Sequence, residues 1–356
     1  MHILHFCGAL KGGPLTAIAE WTRQQIAAGH RVSLVYSPLR DPLDSFRADL
    51  SPEVELFPLN VQRDIHPIRD FRACLRLAGM LRDIRPDILH LHSSKAGAIG
   101  RVAGRLTGVP SVYSTHGMAY LRTDVGIFSR ALYFVLEWVL GPVGTVSVAC
   151  SPSELQSMRA IPGRKMDIPN GIDLTILPLP VERPGNGTLK ISLCGRITAQ
   201  KNPELACQIA NLSPREWHWV WLGDGELGGM VAEAGIAVSG WQPRATAIAM
   251  LGASDVLLHT SSWEGMPIAI LEAMALGLPV VATDVVGNRD LVIQDKTGFI
   301  AADAAGFVTA LKTLAESPEI RCRMGSAGRR RVEQEFDQSK LASRWLALYE
   351  NFRTKR

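Results

Sequence analysis

The chain has 356 residues, 47% of them hydrophobic and 20% charged, with a formal net charge of +4. That balance excludes a disordered chain, and the length suits two domains of ordinary size better than one core. Six cysteines, at 7, 74, 150, 194, 207 and 322, form no CxxC pair and no Cys/His zinc spacing, which points to reduced thiols instead of a disulfide framework.

In chain order, "MHILHFCG" reads as a strand running into a glycine turn. It carries no basic leader or cleavage site, so no signal peptide is expected. The helical "PLTAIAEWTRQQIAAG" follows, then the strand "HRVSLVYS", and further strands in "DIRPDILHLHS", "GVPSVYSTHG" and "TVSVACS". The most apolar stretch, 131–149, is interrupted by Glu137, Gly141-Pro142 and Gly144; it is too short and too broken to span a membrane and reads as a helix running into a strand. The same βαβ rhythm restarts with "LKISLCGR" (189–196), "WHWVWLGDG", "ASDVLLHTSS" and "GLPVVATDV". Such alternation implies parallel strands buried on both faces. Prolines at 178, 180 and 184 and glycines at 185 and 187 punctuate the join.

The expected organisation is therefore α/β: a Rossmann-like domain over 1–173, a linker over 174–188, a second Rossmann-like domain over 189–336 and an amphipathic helix over 337–356. In doubly wound sheets, ligands gather at the carboxyl ends of the strands. Two such domains facing each other predict an active site in the cleft between them. Residues 1–172 hold 19 Lys and Arg against 14 Asp and Glu, while the remainder holds 19 against 20. A basic first half suits an anionic partner, and ordinary solvated charge is the alternative. The run "GRRRV" (328–332) reads as the polar face of a late helix, and no aromatic-and-basic interleaving points to nucleic acid.

Three loops carry candidate chemistry. "GALKGGP" (8–14) joins the first strand to a helix, and its adjacent glycines allow close backbone approach to an anion; a plain strand-to-helix turn is the alternative. "CGRITAQKN" (194–202) puts Arg196 and Lys201 on one short loop at the end of a strand. Their natural counter-ion is a diphosphate, with two solvated bases as the alternative. "SSWEGMPIAILEA" (261–273) spaces Glu264 and Glu272 eight apart, which is not the three or four of a helical pair. Pro267 suits the first position of a helix, so Glu264 falls in a turn and Glu272 in the helix behind it. The turn is expected to expose backbone donors near Gly265, Met266, Pro267 and Ile268, with Pro267 supplying none.

Here the residues become recognisable. "EGMPIAILE" resembles the E-x7-E element of the retaining glycosyltransferases of family 4, and "GRITAQKN" resembles their G-R-x4-K-N element. "STHG" (114–117), "IPNGIDL" (168–174) and "GDG" (223–225) stand in that family's order and spacing, so the likeness covers nearly the whole chain. The resemblance implies the GT-B fold, with the last helix crossing back to the first domain.

It also implies roles. Arg196 and Lys201 would hold a donor diphosphate, Glu272 the ribose hydroxyls and Glu264 hydroxyls of the transferred sugar. His116 would face that sugar near its anomeric carbon. Gly12 and Gly13 would let the first loop approach diphosphate and acceptor, and the base would rest near Gly240 and Trp241. His90 and His92 alternate on one strand face, but without a carboxylate or third histidine no metal is expected, and the family generally needs none. No cofactor is expected beyond the nucleotide sugar as co-substrate. Stretch 90–121 resembles the members that build bacterial exopolysaccharide, capsule or O-antigen on a polyprenyl-diphosphate carrier. Lys95, Arg101 and Arg105 would then add positive charge for a lipid-linked saccharide acceptor, at the cytoplasmic face of an anionic membrane. The expected donor is a UDP-sugar. The "DVVGNRD" loop (284–290) departs from the commoner G-G-x-x-E form. The rival readings are a GT-B sugar-nucleotide epimerase and a non-catalytic sugar-nucleotide-binding module.

Overall fold

The computed structural model describes residues 1–10, 12–62, 64–180 and 188–353. Residues 181–187 of the linker expected over 174–188 therefore lie outside the described residues. The chain divides into two compact units, one of residues 1–121, 125–170 and 338–356, the other of 122–124 and 171–337.

The first unit is built on strands β1 (His2–Cys7), β2 (Arg31–Tyr36), β3 (Glu55–Pro58), β4 (Ile88–His92), β5 (Ser111–Ser114), β6 (Val146–Ala149) and β7 (Lys165–Asp167). All pair in parallel, in the order β3-β2-β1-β4-β5-β6-β7. Helices α1 (Gly13–Ala27), α2 (Pro67–Ile84), α3 (Ser93–Thr107), α4 (Ile127–Leu140) and α5 (Pro152–Ser157) connect them. Every residue of β4 and β5 is buried, as expected for central parallel strands covered on both faces. On one face Leu77 and Leu81 of α2 and Ile99 and Ala103 of α3 pack on Leu89, Leu91 and Tyr113. α3 comes close because it is glycine-rich there: a Cβ at Gly100 would fall 2.0 Å from Leu91 Cδ2.

The second unit has six parallel strands: β8 (Lys190–Cys194), β9 (His218–Leu222), β10 (Ala237–Val238), β11 (Val256–His259), β12 (Val280–Thr283) and β13 (Gly298–Ala301). Their order is β10-β9-β8-β11-β12-β13. Its helices are α6 (Pro203–Leu212), α7 (Gly228–Glu233), α8 (Arg244–Gly252), α9 (Ile268–Ala275), α10 (Asn288–Leu291), α11 (Ala304–Glu316) and α12 (Pro318–Arg331). The last helix, α13 (Gln338–Phe352), belongs to the first unit, where Trp345, Leu348 and Tyr349 bury themselves against Trp21 and the β1–β2 face.

Both sheets reverse their strand order once, between β1 and β4 in the first and between β8 and β11 in the second. Those switch points open a crevice at the carboxyl ends of the strands, the usual ligand position in such folds. All six cysteines are free; Cys7, Cys74 and Cys150 are buried, but Cys322 is exposed.

Candidate active site

In the second unit, the two recognised motifs meet at the β8/β11 switch point. β8 and β11 are hydrogen-bonded neighbours, so the loop after each is delivered to the same place. Gln200 fastens one loop to the other: its Nε2 donates to the Trp263 carbonyl at 3.1 Å, and its own carbonyl accepts from Ser262 N–H at 2.9 Å. Lys201 Nζ then lies 2.6 Å from Glu264 Oε1. Ser261 Oγ donates to the same oxygen at 2.8 Å, and His259 Nε2 stands 3.3 Å away. Burial alone would raise the Glu264 pKa. The Lys201 ammonium and the His259 hydrogen bond overcome it and hold the carboxyl well below the ordinary carboxylate range. Burial, with the Lys201 charge adding to it, lowers the His259 pKa.

Asn202, the last residue of the K-N element, sits in the left-handed region at φ 49 and caps α6 by accepting from Leu205 N–H. Arg196 is exposed at the end of β8. Glu272, in α9, pairs with Arg244 of α8 at 3.3 Å. Gly240 bridges to Gly223 of the GDG element, and Trp241 beside it is 59% exposed.

Two expectations change here. Pro267 is the N-cap of α9, not its first helical residue, because its ψ of 121° is extended. Glu264, Gly265, Met266, Pro267 and Ile268 are all buried, which corrects the expected exposed donor turn. The Met266 and Ile268 side chains turn into the interior. Gly287 of the "DVVGNRD" loop presses on Gly265 so closely that a Cβ there would lie 2.2 Å from its carbonyl oxygen.

In the first unit, Gly12 caps α1 at φ 59, ψ −138, a conformation open to glycine, and Gly13 is the first helical residue. The neighbouring backbone is pinned by Asp41, whose Oδ2 accepts from Leu10 N–H at 2.7 Å. At the β1/β4 switch point, register places His5 directly beside His90, and His92 follows two residues on. His5 Nε2 bonds Gln25 Oε1 at 2.8 Å, His5 Nδ1 meets His92 Nε2 at 2.9 Å, and His92 Nδ1 meets His116 Nε2 at 3.2 Å. His90 spans Ser114 Oγ and the Tyr349 hydroxyl, each at 2.8 Å. Trp21 stacks on His90, His92 and His116.

Burial lowers all four pKa values, His5 and His116 to about 4 and His90 and His92 well below the ordinary histidine value. His116 itself has a positive φ of 51, and its loop is anchored by Glu154, which accepts from Gly117 N–H at 2.8 Å. The statement that no third histidine accompanies His90 and His92 is corrected by His5, whose register partner could not be read from spacing. The ring nitrogens of His5, His90 and His92 are committed to hydrogen bonds, His5 with His92 and Gln25, His92 with His116, and His90 with Ser114 and Tyr349, which a cation would have to displace.

The basic residues of the acceptor set fare differently. Arg101 is fully buried, bonded to Glu137 at 2.8 Å and lying 4.4 Å over the Tyr113 ring. Its charge is spent inside the unit, which withdraws it from an acceptor site. Lys95 Nζ is held by Asp70 at 2.6 Å and by the Asp64 carbonyl at 2.7 Å. Arg105 is exposed. In the 328–332 run, Arg329 and Arg331 bond carbonyls of Ala275, Leu291 and Asp290, as structural cations do.

The residues missed from sequence were His5, Gln25, Tyr349, Glu154, His259, Ser261 and Arg244. Only His259 and Ser261 left a signal, alternating along "HTSSWE" toward Glu264.

Two Rossmann-like units, each with its candidate residues at a switch point, define the GT-B class. A family model described as "Glycosyl transferase 4-like domain" matches residues 12–171, and one described as "Glycosyl transferases group 1" matches 188–317. The UDP-Gal:alpha-D-GlcNAc-diphosphoundecaprenol alpha-1,3-galactosyltransferase of Escherichia coli is 32% identical over 312 residues, 77% of this chain and 76% of that protein. A GDP-mannose-dependent alpha-mannosyltransferase of Mycolicibacterium smegmatis is 32% identical over 307 residues, 79% of this chain and 75% of that protein. Among solved structures, the sucrose-phosphate synthase of Thermosynechococcus elongatus superposes with a TM-score of 0.85 at 19% identity, covering 99% of this chain and 98% of that one. Anabaena HepE in complex with UDP-glucose gives 0.80 at 17%, covering 99% and 100%. The chain belongs to the group 1, family 4 glycosyltransferases of GT-B fold.

Proposed function

We propose that this glycosyltransferase moves a sugar, with retention, from a UDP-sugar to a hydroxyl of a saccharide carried on a polyprenyl diphosphate, in the assembly of a bacterial surface polysaccharide. The carrying observation is the Lys201–Glu264 pair at the β8/β11 switch point. An ammonium has three donors; Glu264 occupies one and leaves two for a diphosphate, beside the exposed Arg196. Glu264, ionised and braced by Ser261 and His259, accepts from hydroxyls of the sugar, and Glu272 accepts from the ribose. Trp241 with Gly240 flanks the base.

In this reading the second unit takes the donor and the first the acceptor, with Gly12, Gly13, Lys95 and His116 serving the acceptor and the reacting sugar. As the glycosidic bond breaks, its electron pair goes to the leaving diphosphate, whose charge Arg196 and Lys201 offset. The acceptor hydroxyl bonds to the anomeric carbon from the same face and passes its proton to that phosphate. No metal is assigned a part. The E. coli relative's name supports the donor and the lipid-linked acceptor. In this reading the reaction takes place at the cytoplasmic face of the membrane.

The test is a panel of UDP- and GDP-sugars scored for nucleotide release, with and without a lipid-diphosphate saccharide acceptor. Acceptor-dependent release with one UDP-sugar is expected, and the anomeric configuration of the product read by NMR should match the donor's. Conversion of a UDP-sugar alone to its epimer overturns the reading. So does unchanged nucleotide binding and transfer in both Glu272→Gln and Lys201→Ala.

A further inference from the structure

Helix α4 turns the wrong face outward for a helix that only packs on a sheet. Ile127, Phe128, Leu132, Val135, Trp138 and Val139 are all between 50% and 88% exposed. At about 100° per residue these six fall within an arc of roughly 140° on one side of the helix. The opposite side holds Glu137, locked to Arg101 and to the Tyr113 hydroxyl at 3.1 Å, with Tyr133 and Phe134 packed on a small apolar cluster. The outward stripe is thus as regular as an inward one, and none of the described residues covers it. Exposed apolar stripes of this size mark a binding surface.

A second stripe lies in the same helical layer. Ile68, Phe71 and Leu75, at i, i+3 and i+7 of α2, are each about half exposed or more. α2 and α3 pack on one sheet face through a shared cluster, and α4 is tied to α3 by the Arg101–Glu137 pair. Charge in this layer is one-sided. The three helices carry Arg69, Arg72, Arg76, Arg82, Lys95, Arg101, Arg105 and Arg130 against Asp70, Asp83 and Glu137. Lys95 and Arg101 consume Asp70 and Glu137, so the six remaining arginines, all exposed, face only Asp83.

We propose that the α2–α4 layer is a membrane-docking surface, with the α4 stripe inserted among the acyl chains of an anionic bilayer and the arginines on its head groups. A helix with an apolar face and arginines around it, too short to span, lies in the plane of the interface. Among the described residues no helix is long and apolar enough to cross a membrane. A second copy of the chain is a poorer occupant, because it would set one cationic layer against another. From sequence, Lys95, Arg101 and Arg105 are expected to add charge for the lipid-linked acceptor, and only Arg105 is exposed and unclaimed by the salt bridges above. The docking surface rests instead on the apolar stripe and the arginines around it. The inference rests on the lipid-linked acceptor for its purpose but not for its evidence.

The test is co-sedimentation with vesicles of phosphatidylcholine alone and of phosphatidylcholine with phosphatidylglycerol, at low and high salt. The wild type is expected to bind the anionic vesicles at least tenfold better than the neutral ones. Phe128→Asp/Leu132→Asp should lower that partition tenfold or more with an unchanged melting temperature, since both side chains already face water. Arg72→Ala/Arg76→Ala should weaken binding several-fold and reduce its salt dependence. The proposal is overturned if the wild type ignores anionic vesicles at low salt, if the α4 variant binds as well as wild type, or if light scattering shows a dimer that the α4 variant dissolves. Nucleotide release onto a water-soluble acceptor analogue separates the two readings. Vesicle binding without any transfer sinks the enzymatic one and leaves the docking surface standing, and transfer without vesicle binding does the reverse.

Discussion

His116 Nε2 lies 3.2 Å from His92 Nδ1, at the end of a line of hydrogen bonds that begins at Gln25. The amide of Gln25 gives that line a direction. Its Nε2 donates toward the Tyr349 hydroxyl and its Oε1 accepts from His5 Nε2–H. Neutral His5 then presents Nδ1 as an acceptor to His92 Nε2–H, and His92 does the same for His116. His116 is left with Nε2 protonated and Nδ1 as its lone pair. Gln25→Leu removes the group that fixes this tautomer without touching His116. It should lower kcat about tenfold with little change in donor KM, and Gln25→Glu should recover part of the loss. A KM effect alone would mean that the line only props the loop.

Lys201 and Glu264 form a pair with side chains 18% and 9% exposed. Removing one member of a buried pair strands the other, at a cost of about 3–5 kcal/mol. Lys201→Met and Glu264→Gln should each destabilise the protein substantially in urea titrations. The double substitution should cost less than the sum, with a coupling energy of about 0.5–3 kcal/mol. Additive effects would show that the contact carries no stability and that the two residues are held apart by their loops.

Acid should weaken the first unit more than the second, because burial holds His5, His90, His92 and His116 neutral in the one and His259 in the other. Burial holds His5 and His116 at about 4, below the ordinary value of 6.5. A native histidine kept neutral loses ground when the unfolded chain takes up the proton. Its stabilising contribution is complete above about pH 6.5 and is lost as pH falls from there toward 4. Each such imidazole contributes a slope of about 1.4 kcal/mol per pH unit inside that window. Melting temperature measured from pH 7.5 to 4.5 should fall from near 6.5 downward, and His5→Gln should flatten the curve. A curve flat to pH 5 contradicts neutral, buried histidines.

Much of this molecule was legible in its sequence because parallel strands covered on both faces leave near-continuous apolar runs, and loops at their carboxyl ends carry the chemistry. "LKISLCGR" and "ASDVLLHTSS" announced both strands that deliver Lys201 and Glu264. Pairing was not legible. His5 and His90 are 85 residues apart in sequence and become neighbours only through the β1–β4 register. Partner choice was equally hidden: Arg101 and Glu137 meet across α3 and α4, and nothing in either stretch marks the arginine as buried. The α4 stripe was visible as apolar sequence, but which side it turns outward depends on Glu137 being drawn inward.

That inward pull yields the last prediction. Arg101 lies over the Tyr113 ring, its guanidinium bonded to a Glu137 carboxylate that is itself buried. Arg101→Met would strand that carboxylate and should cost about 3–5 kcal/mol in urea denaturation. Adding Glu137→Leu removes the stranded charge and should restore most of the loss, since apolar replacement of a buried pair is often neutral or better. Arg105→Ala, exposed one turn further along the same helix, should stay within about 0.5 kcal/mol of wild type. Transfer per folded molecule should be unchanged in the Arg101→Met/Glu137→Leu protein. If that protein is stable but has lost affinity for a lipid-diphosphate acceptor, Arg101 has a part in acceptor binding after all, and the buried pair must open to play it.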